Sequence, residues 1–319
     1  MATEYFLGID TSNYTTSAAI VNGEGDVVLN AKRPLPVAEG ARGLRQSDAV
    51  FAHVKNMPSL MEEVADAMRG GTLTAIGVSE APRRAVGSYM PCFLSGVASA
   101  TTAAAATGVP LYRFSHQCGH LAAAILSSGR HDFFARPFGA FHVSGGTTEV
   151  LLVNGFAEDG FSVNLLGGTA DLNAGQVIDR VGVSMGLKFP CGPRLEELAD
   201  ACTEKQRRPR ISVRGLEANL SGVENQAAKM LAEGCSQPLV AAYVLDFVAE
   251  TLAALTAGLF ATAGDVPVLY SGGVMSNRRI RARLAPLGDT AFAAPAFSAD
   301  NAAGIALLCR KRHGGQIGS

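Results

Sequence analysis

The stretch that decides the fold is FLGIDTSNYTTSAAIVNGE, residues 6–24, together with a second stretch of the same plan, GAFHVSGGTTEVLLVNGF, residues 139–156. Each stretch runs from an apolar strand through a turn of Ser, Thr or Gly into a second apolar strand and an Asn-Gly pair. Two copies of one such unit indicate an internal duplication. We therefore expect two lobes that face each other across a cleft lined by the polar turns and their backbone N–H groups.

The rest of the chain alternates strand and helix patterns, which is typical of an α/β fold. One amphipathic helix, ending near Gly70-Gly71, is predicted by apolar residues at three- and four-residue spacing: Phe51, Val54, Met57, Leu60, Met61, Val64 and Met68. A chain of 319 residues is long enough for two lobes. We expect the first lobe over residues 1–130 plus 296–319 and the second over 131–295.

Composition excludes several classes of protein. Hydrophobic residues make up 48% and charged residues 17% of the chain, which excludes a disordered polyelectrolyte. The formal net charge of −1 provides no overall attraction to nucleic acid, so such a partner would need a local basic patch. The segments EKQRRPR, residues 204–210, and SNRRIRARL, residues 276–284, are candidates, and solvated surface is their alternative interpretation.

Cysteine usage and hydropathy indicate a cytoplasmic protein. The six cysteines show neither CxxC spacing nor the density of a secreted disulfide scaffold. The first residues, MATEYFLGID, lack the basic region and cleavage site of a signal peptide. The apolar stretch 92–109 is rich in small residues and the stretch 241–263 contains Asp246 and Glu250, so we expect no membrane span.

Two histidines four residues apart raise the question of a metal site. In FSHQCGHLAAAIL, residues 114–126, His116 and His120 would share one face of a helix. Two ligands do not complete a metal site, and a helix cap plus a core histidine is the alternative. Asp300 precedes an apolar helix in AFSADNAAGIALLCRK, residues 296–311, where capping is its simplest role.

Seven segments in order resemble the TsaD family, threonylcarbamoyltransferases that modify tRNA adenosine, within the actin, hexokinase and Hsp70-like superfold. They are similar to the family's opening turn, its His-x-x-x-His motif, its Ser-Gly-Gly turn and four later segments: GIDTSNYTTSAAI, HQCGHL, HVSGGTTEVLLV, LNAGQVIDRVGVSMGLKFPCGP, NLSGVENQ, SGGVMSN and ADNAAGIA. The resemblance spans nearly the whole chain. It implies two duplicated actin/hexokinase-like lobes around a nucleotide-binding cleft.

The resemblance also implies one divalent metal, zinc or iron, held by His116, His120 and Asp300. Two imidazoles and one carboxylate suit either metal. The metal would polarise the carbamoyl oxygen of an adenylate donor during transfer to an acceptor.

The nucleotide site is assigned by the same resemblance, with an adenine nucleotide or adenylate as substrate. The turn His142, Val143, Ser144, Gly145 and Gly146 would carry phosphate or carbamoyl oxygens. Asp179 would accept hydrogen bonds from ribose hydroxyls, Gly192 would allow a close approach to the backbone, and Asn277 would lie beside the adenine. A short hairpin is the simpler interpretation of a Gly-Gly turn by itself.

Several residues depart from the family pattern. Where the family's opening turn carries Cys-Asp-Glu-Thr, with an Asp associated with the chemistry, this chain has Asn13, Tyr14, Thr15 and Thr16. A phenol at neutral pH donates a hydrogen bond and does not act as a base. Further departures are Thr147 for a His, Gln176 for a helix acid, and Arg83 and Arg84 in place of the glycines of a Gly-Pro-Gly-Leu segment. These changes predict a divergent member of the family.

The implied function is a metal-dependent carbamoyl-type transferase acting on tRNA, with tRNA bound through local basic patches and with partner subunits or a homodimer. Two alternatives are a non-catalytic nucleotide-binding scaffold subunit and a carbamoyltransferase acting on a non-tRNA acceptor. A metallopeptidase is disfavoured because Gln117, Cys118 and Gly119, between the histidines, include no glutamate base.

Overall fold

The structure, a computed structural model, describes residues 2–12, 14–36, 44–157, 160–297 and 302–314. Its strands, in chain order, are β1 (Thr3–Ser12), β2 (Thr15–Asn22), β3 (Val27–Pro34), β4 (Gly71–Ala81), β5 (Leu111–Ser115), β6 (Phe138–Val143), β7 (Thr148–Ala157), β8 (Gly160–Thr169), β9 (Ser212–Arg214), β10 (Glu217–Asn219), β11 (Val268–Ser271) and β12 (Thr290–Phe292). Its helices are α1 (Gln46–Ala67), α2 (Phe93–Thr107), α3 (His116–Ser128), α4 (Ala174–Ser184), α5 (Gly192–Asp200), α6 (Gly222–Ala232), α7 (Gln237–Ala263), α8 (Arg278–Leu284) and α9 (Ala303–His313).

The strands form two mixed sheets of matching topology. The first has the order β3-β2-β1-β4-β5 and the second the order β12-β11-β6-β7-β8-β10-β9. In the first sheet β1 pairs antiparallel with β2 and parallel with β4, and in the second β6 pairs antiparallel with β7 and parallel with β11. The duplicated α/β fold predicted from the repeated strand-turn-strand unit is therefore confirmed.

The chain divides into two compact units. Unit 1 comprises Met1–Ala135, Gly155–Ser162 and Phe297–Ser319, and unit 2 comprises Arg136–Asn154 and Val163–Ala296. The first sheet lies in unit 1 with α1, α2, α3 and α9, and helices α4 to α8 lie in unit 2.

The predicted amphipathic helix is confirmed as α1, but fewer of its apolar side chains are buried than predicted. Its buried side chains recur every three or four residues and include Met57, Leu60 and Val64. Phe51 and Val54 are 73% and 57% exposed, because at 100° per residue both lie outside this stripe.

Helix α7 is the core helix of unit 2. By length and composition it is apolar enough to cross a membrane, but 83% of its most apolar window is buried. The side chains that interrupt its apolar sequence, Asp246 and Glu250, form ion pairs with Arg279 and Arg283 of α8. Burial in the fold therefore explains the apolar character of this helix.

Helices α3 and α9 approach each other backbone to backbone. A Cβ atom on Gly304 would lie 1.8 Å from the carbonyl oxygen of Gly119, and one on Gly119 would lie 2.8 Å from Cδ1 of Ile305. Only glycine permits this approach. The contact fixes α3, the helix that carries both candidate metal-binding histidines.

We expect Gly304→Ala to lower the free energy of unfolding by about 3 kcal/mol or more, because the added methyl group forces the two helices apart. Gly222→Ala at the start of α6 is the matched control, since its Cβ would meet only the flexible side chain of Gln226, at 3.7 Å. Urea unfolding of both variants makes the comparison. Equal stability of the two variants would contradict the tight helix contact.

Candidate active site

The first candidate site lies where the parallel strands of unit 1 end. Strands β1, β4 and β5 run parallel, so their carboxyl ends meet at one edge of the sheet. Asp10 lies near the end of β1, and His116 follows β5 directly as the first residue of α3. The N-cap of α3 is Ser115, whose hydroxyl accepts from the N–H of Cys118 at 3.3 Å. His116 is therefore not the helix cap.

Asp10, His116 and His120 form a chain of polar contacts. The Nε2 atoms of the two histidines are 2.9 Å apart, and Nδ1 of His116 lies 2.7 Å from Oδ2 of Asp10. Asp10 is 1% exposed, and its other oxygen accepts from the N–H of Ser12 at 2.9 Å. The prediction that the two histidines share one helix face is confirmed.

The contact with Asp10 determines which nitrogen of His116 faces His120. A carboxylate at Asp10 accepts from Nδ1–H of His116, and in that tautomer of the neutral imidazole the Nε2 lone pair faces His120. A carboxylate on the far nitrogen is the arrangement that orients metal-ligating histidines. Two converging imidazoles with this support fit part of a metal site.

The third predicted ligand, Asp300, lies outside the described residues. Within the part of the chain that the structure describes, no group of three or more His, Cys, Asp or Glu side chains could hold a metal ion. The described part of unit 1 therefore contributes two histidines to the candidate metal site, together with the carboxylate of Asp10 that contacts one of them.

No role for Asp10 was predicted from the sequence. The one feature of the sequence that could have indicated a role is that Asp10 is the single acidic residue of an otherwise apolar strand segment, FLGID. Such an acid needs a partner when it is buried. The partner, His116, could not be identified from the sequence because it is 106 positions away.

A third histidine, buried where the first two are partly exposed, lies behind the opening turn. His53 of α1 is fully buried, and its Nδ1 is 2.9 Å from the hydroxyl of Thr16, which also accepts from Asn56. Its Nε2 makes no hydrogen bond within the described residues. Burial lowers the pKa of His53, and the nearby Asp10 carboxylate opposes this effect without cancelling it.

This lowered pKa predicts an acid-sensitive fold. Below the ordinary histidine pKa of 6.5 the unfolded chain binds a proton at His53 that the folded chain does not. The stability contributed by neutral His53 is therefore complete above pH 6.5 and is lost as pH falls below it. We expect His53→Gln to unfold with a shallower pH dependence in urea titrations between about pH 5 and 8. If the free energies of unfolding of wild type and His53→Gln change with pH in the same way, His53 is not the group responsible for the acid sensitivity.

Tyr14 lies in the turn between β1 and β2, and the residue is 46% exposed. Its carbonyl oxygen accepts from the N–H of Leu35 at 2.8 Å, so the backbone of the turn is held independently of the phenol. The side chain can therefore be changed without removing a core contact.

In unit 2 the predicted phosphate turn follows β6. The hydroxyl of Ser144 accepts from the N–H groups of Gly146 and Thr147 at 3.2 and 3.1 Å. These two N–H groups are therefore used within the turn, because the serine closes the turn on itself. A Cβ atom on Gly145 or Gly146 would meet nothing within 4 Å, so this side of the turn is open.

Helix α4 begins against the same turn. The N–H of Gly175 donates to the carbonyl of Ser144 at 3.1 Å, and the N–H of Ala174 donates to Thr148 Oγ1 at 2.9 Å. Gln176 completes a capping box by accepting from the N–H of Asn173 at 3.1 Å. The positive end of the α4 dipole thus lies at the open turn, which favours an anion there.

The turn also packs on the glycines that follow β11. Nδ1 of His142 is 3.3 Å from the hydroxyl of Ser271. A Cβ atom on Gly272, whose φ is +100°, would lie 2.2 Å from the carbonyl oxygen of Val143. The segments containing HVSGG and SGGVMSN are therefore neighbours in unit 2, as parallel pairing of β6 and β11 requires.

Two other residues predicted to bind the nucleotide, Asp179 and Asn277, each accept a hydrogen bond from a backbone N–H group. Asp179 accepts from the N–H of Cys191 at 2.7 Å, which ties α4 to the residue before Gly192. Asn277 caps α8 by accepting from the N–H of Ile280 at 3.0 Å. Glu196 lies in α5, the helix that begins at Gly192, and its carboxylate accepts from the N–H of Arg278 at 2.7 Å. This bond links α5 to the residue that follows Asn277.

Comparisons with known proteins place this geometry in context. The family model described as TsaD, tRNA N6-adenosine threonylcarbamoyltransferase, matches residues 39–307. HypF from T. kodakarensis is 14% identical, with 98% of this chain and 48% of that chain covered and a TM-score of 0.62. Full-length HypF in the phosphate- and nucleotide-bound form is 12% identical, with 100% and 56% covered and a TM-score of 0.60.

A third solved structure is component A of (R)-2-hydroxyglutaryl-CoA dehydratase from Acidaminococcus fermentans. It is 16% identical, with 97% of this chain and 99% of that chain covered and a TM-score of 0.52. At these identities the likeness to solved structures shows the fold.

Proposed function

Because the chain belongs to the TsaD family of tRNA N6-adenosine threonylcarbamoyltransferases, we propose that it is a metal-dependent carbamoyl-type transferase with an adenylate donor. The observation that carries the proposal is the convergence of the His116 and His120 Nε2 atoms, with Asp10 on the far nitrogen of His116. Asp300 would add the third ligand. Zinc and iron both suit this donor set.

The proposed step is an acyl transfer. An acceptor amine attacks the carbonyl carbon of the carbamoyl-adenylate, a C–N bond forms, the C–O bond to the phosphate breaks, and AMP leaves while the amine proton passes to solvent. When bound, the metal would supply Lewis-acid polarisation of the carbamoyl oxygen.

The chain's own residues position the reactants. Asp10 would keep His116 in the tautomer and orientation needed for binding. The open turn at Gly145, supported by the amino end of α4, would hold the donor phosphate. Asp179 and Asn277 each keep one side-chain atom in a backbone contact, and their other polar atoms would face ribose and adenine.

Gly145→Asp tests the phosphate assignment. A carboxylate on the open side of the turn meets no steric obstacle but repels a phosphate, so we expect AMP affinity to fall at least about tenfold. Gly145→Asn is the matched control, because it has nearly the same shape without the charge. Calorimetric titration of AMP into metal-loaded protein measures both. Equal AMP affinity for the two variants would place the phosphate elsewhere.

A nucleotide-binding scaffold subunit is the second candidate function. The specific observation that favours it is Tyr14, a phenol at the turn position where the resemblance places a reactive carboxylate. A carbamoyltransferase with a non-tRNA acceptor also fits this change. All three functions would use a nucleotide in a cytoplasmic protein with partner subunits or a homodimer.

If tRNA is the acceptor, the segment 204–210 is the better of the two predicted basic patches. In the segment 276–284, Arg278 pairs with Glu196 and Asp200 of α5. Arg279 and Arg283 pair with the acids of α7. Those three arginines join helices within unit 2, so less of their charge is available to RNA.

A further inference from the structure

Unit 2 contains a cavity of about 290 Å³ between the segment 207–210 and the helices α6 and α7. The charged side chains of its lining are Arg207, Arg208, Arg210, Lys229 and Glu233. Four cations and one carboxylate sum to +3, whereas the whole chain has a net charge of −1. Positive charge is therefore concentrated at this cavity.

The one acid of the lining is shared by two of the cations. The carboxylate of Glu233 lies 3.1 Å from the guanidinium of Arg207 and 3.8 Å from the ammonium of Lys229. All three side chains are at least 41% exposed, so each ion pair contributes little energy. A single negative charge thus offsets one of two positive charges on this side of the cavity.

The other two arginines are not neutralised by neighbouring acids. Within the part of the chain that the structure describes, the side chains of Arg208 and Arg210 form no ion pair. The pKa of Glu250 is lowered by the hydrogen bond from Arg283 and, less strongly, by the charge of Arg208. Arg283 already contacts both oxygens of that carboxylate, at 2.6 and 3.1 Å. Glu250 is therefore paired within unit 2, and the excess charge of the cavity remains.

Hydrogen bonds hold the segment 207–210 against the two helices. The N–H of Arg210 donates to the hydroxyl of Tyr243 at 3.4 Å, and its carbonyl oxygen accepts from Nε2 of Gln226 at 3.4 Å. The hydroxyl of Tyr243 donates in turn to Oε1 of Gln226. These bonds use the backbone of Arg210, so its guanidinium can be removed without releasing the segment.

We propose that this cavity binds closely spaced phosphate groups, supplied by a small polyphosphate or by an RNA backbone. Phosphate is the anion that best matches several guanidinium groups, because each planar fork can contact two of its oxygens. The volume of the cavity is at the small end of the range of ligand sites, which suits a compact anion. The RNA source rests on the proposed function, whereas the polyphosphate source does not.

Binding of two probes tests the proposal without requiring turnover. The probes are inorganic tripolyphosphate, titrated by calorimetry, and unmodified tRNA, followed by fluorescence anisotropy, both at about 0.1 M salt. The test variant is Arg208→Ala combined with Arg210→Ala, two exposed residues. The control is Arg69→Ala combined with Arg194→Ala, which removes the same charge from exposed positions outside the cavity.

Both variant pairs are also made in the Gly145→Asp background, whose added charge blocks the turn proposed to hold the donor phosphate. This background separates the cavity from the candidate active site. Failure of the phosphate turn would leave tripolyphosphate binding at the cavity unchanged, so the two proposals can fail independently. Urea unfolding of each variant checks that the fold is intact.

We expect the test pair to weaken tripolyphosphate binding at least about tenfold in either background, with the control pair within about twofold of its parent. Loss of tRNA binding by the test pair alone, with no tripolyphosphate binding to wild type, would support the proposal with RNA as the source. The proposal is overturned if wild type binds neither probe, if Gly145→Asp alone abolishes tripolyphosphate binding, or if the two variant pairs behave alike. A short glutamate peptide that binds as tightly as tripolyphosphate would also overturn it, in favour of an acidic protein partner.

Discussion

Replacing Tyr14 by aspartate is expected to raise the rate of threonylcarbamoyl transfer to tRNA by about a hundredfold or more, from a slow wild-type reaction. A carboxylate at this turn could position or deprotonate the attacking amine, and a missing general base typically costs about a hundredfold to ten-thousandfold. The residue is 46% exposed and is not one of the buried core residues, so the change leaves the core intact. Single-turnover transfer from threonylcarbamoyl-adenylate to unmodified tRNA, with any partner subunits supplied, measures the effect.

Tyr14→Asn is the control for this comparison, because it removes the phenol without adding a base. We expect its rate to stay near that of wild type. A wild type that is already fast, and that slows on Tyr14→Asp, would show that the tyrosine belongs to a working site.

His116→Ala and His120→Ala are each expected to abolish stoichiometric metal binding, since each removes a proposed ligand, and Asp300→Ala should do the same. Asp10→Asn should weaken metal affinity by about ten- to a hundredfold, the usual effect of losing a carboxylate that orients a ligand histidine. Elemental analysis after dialysis, followed by competition with a chelator, distinguishes loss from weakening.

His131→Ala is the control for the metal prediction, because His131 is an exposed histidine of the same unit. It should retain the wild-type metal content. About one metal ion per chain surviving all three ligand substitutions would rule out the proposed site.

The repeated architecture could be predicted from the sequence because it depends on local patterns. Strand alternation, the Asn-Gly pairs and the apolar spacing of α1 are all visible within about twenty residues. The helix that carries His116 and His120 was predictable for the same reason. The burial of α1 was predicted less well, because which side of a helix meets the core depends on its neighbours.

Contacts between segments that are far apart in the chain could not be predicted from the sequence. Asp10 meets His116 only because β1, β4 and β5 lie parallel in one sheet. The hydroxyl of Ser144, which closes its own turn, could not be distinguished by sequence from one that points at a ligand.

The most direct test of the central claim is donor consumption by metal-loaded wild type. Threonylcarbamoyl-adenylate would be incubated with the protein, with and without unmodified tRNA, and AMP release and labelled acceptor would be followed over time. We predict AMP release above the buffer rate, with transfer of the carbamoyl group, and loss of both in His120→Ala. Donor breakdown at the buffer rate under every condition, or unchanged turnover in His120→Ala, would contradict a metal-dependent carbamoyl-type transferase.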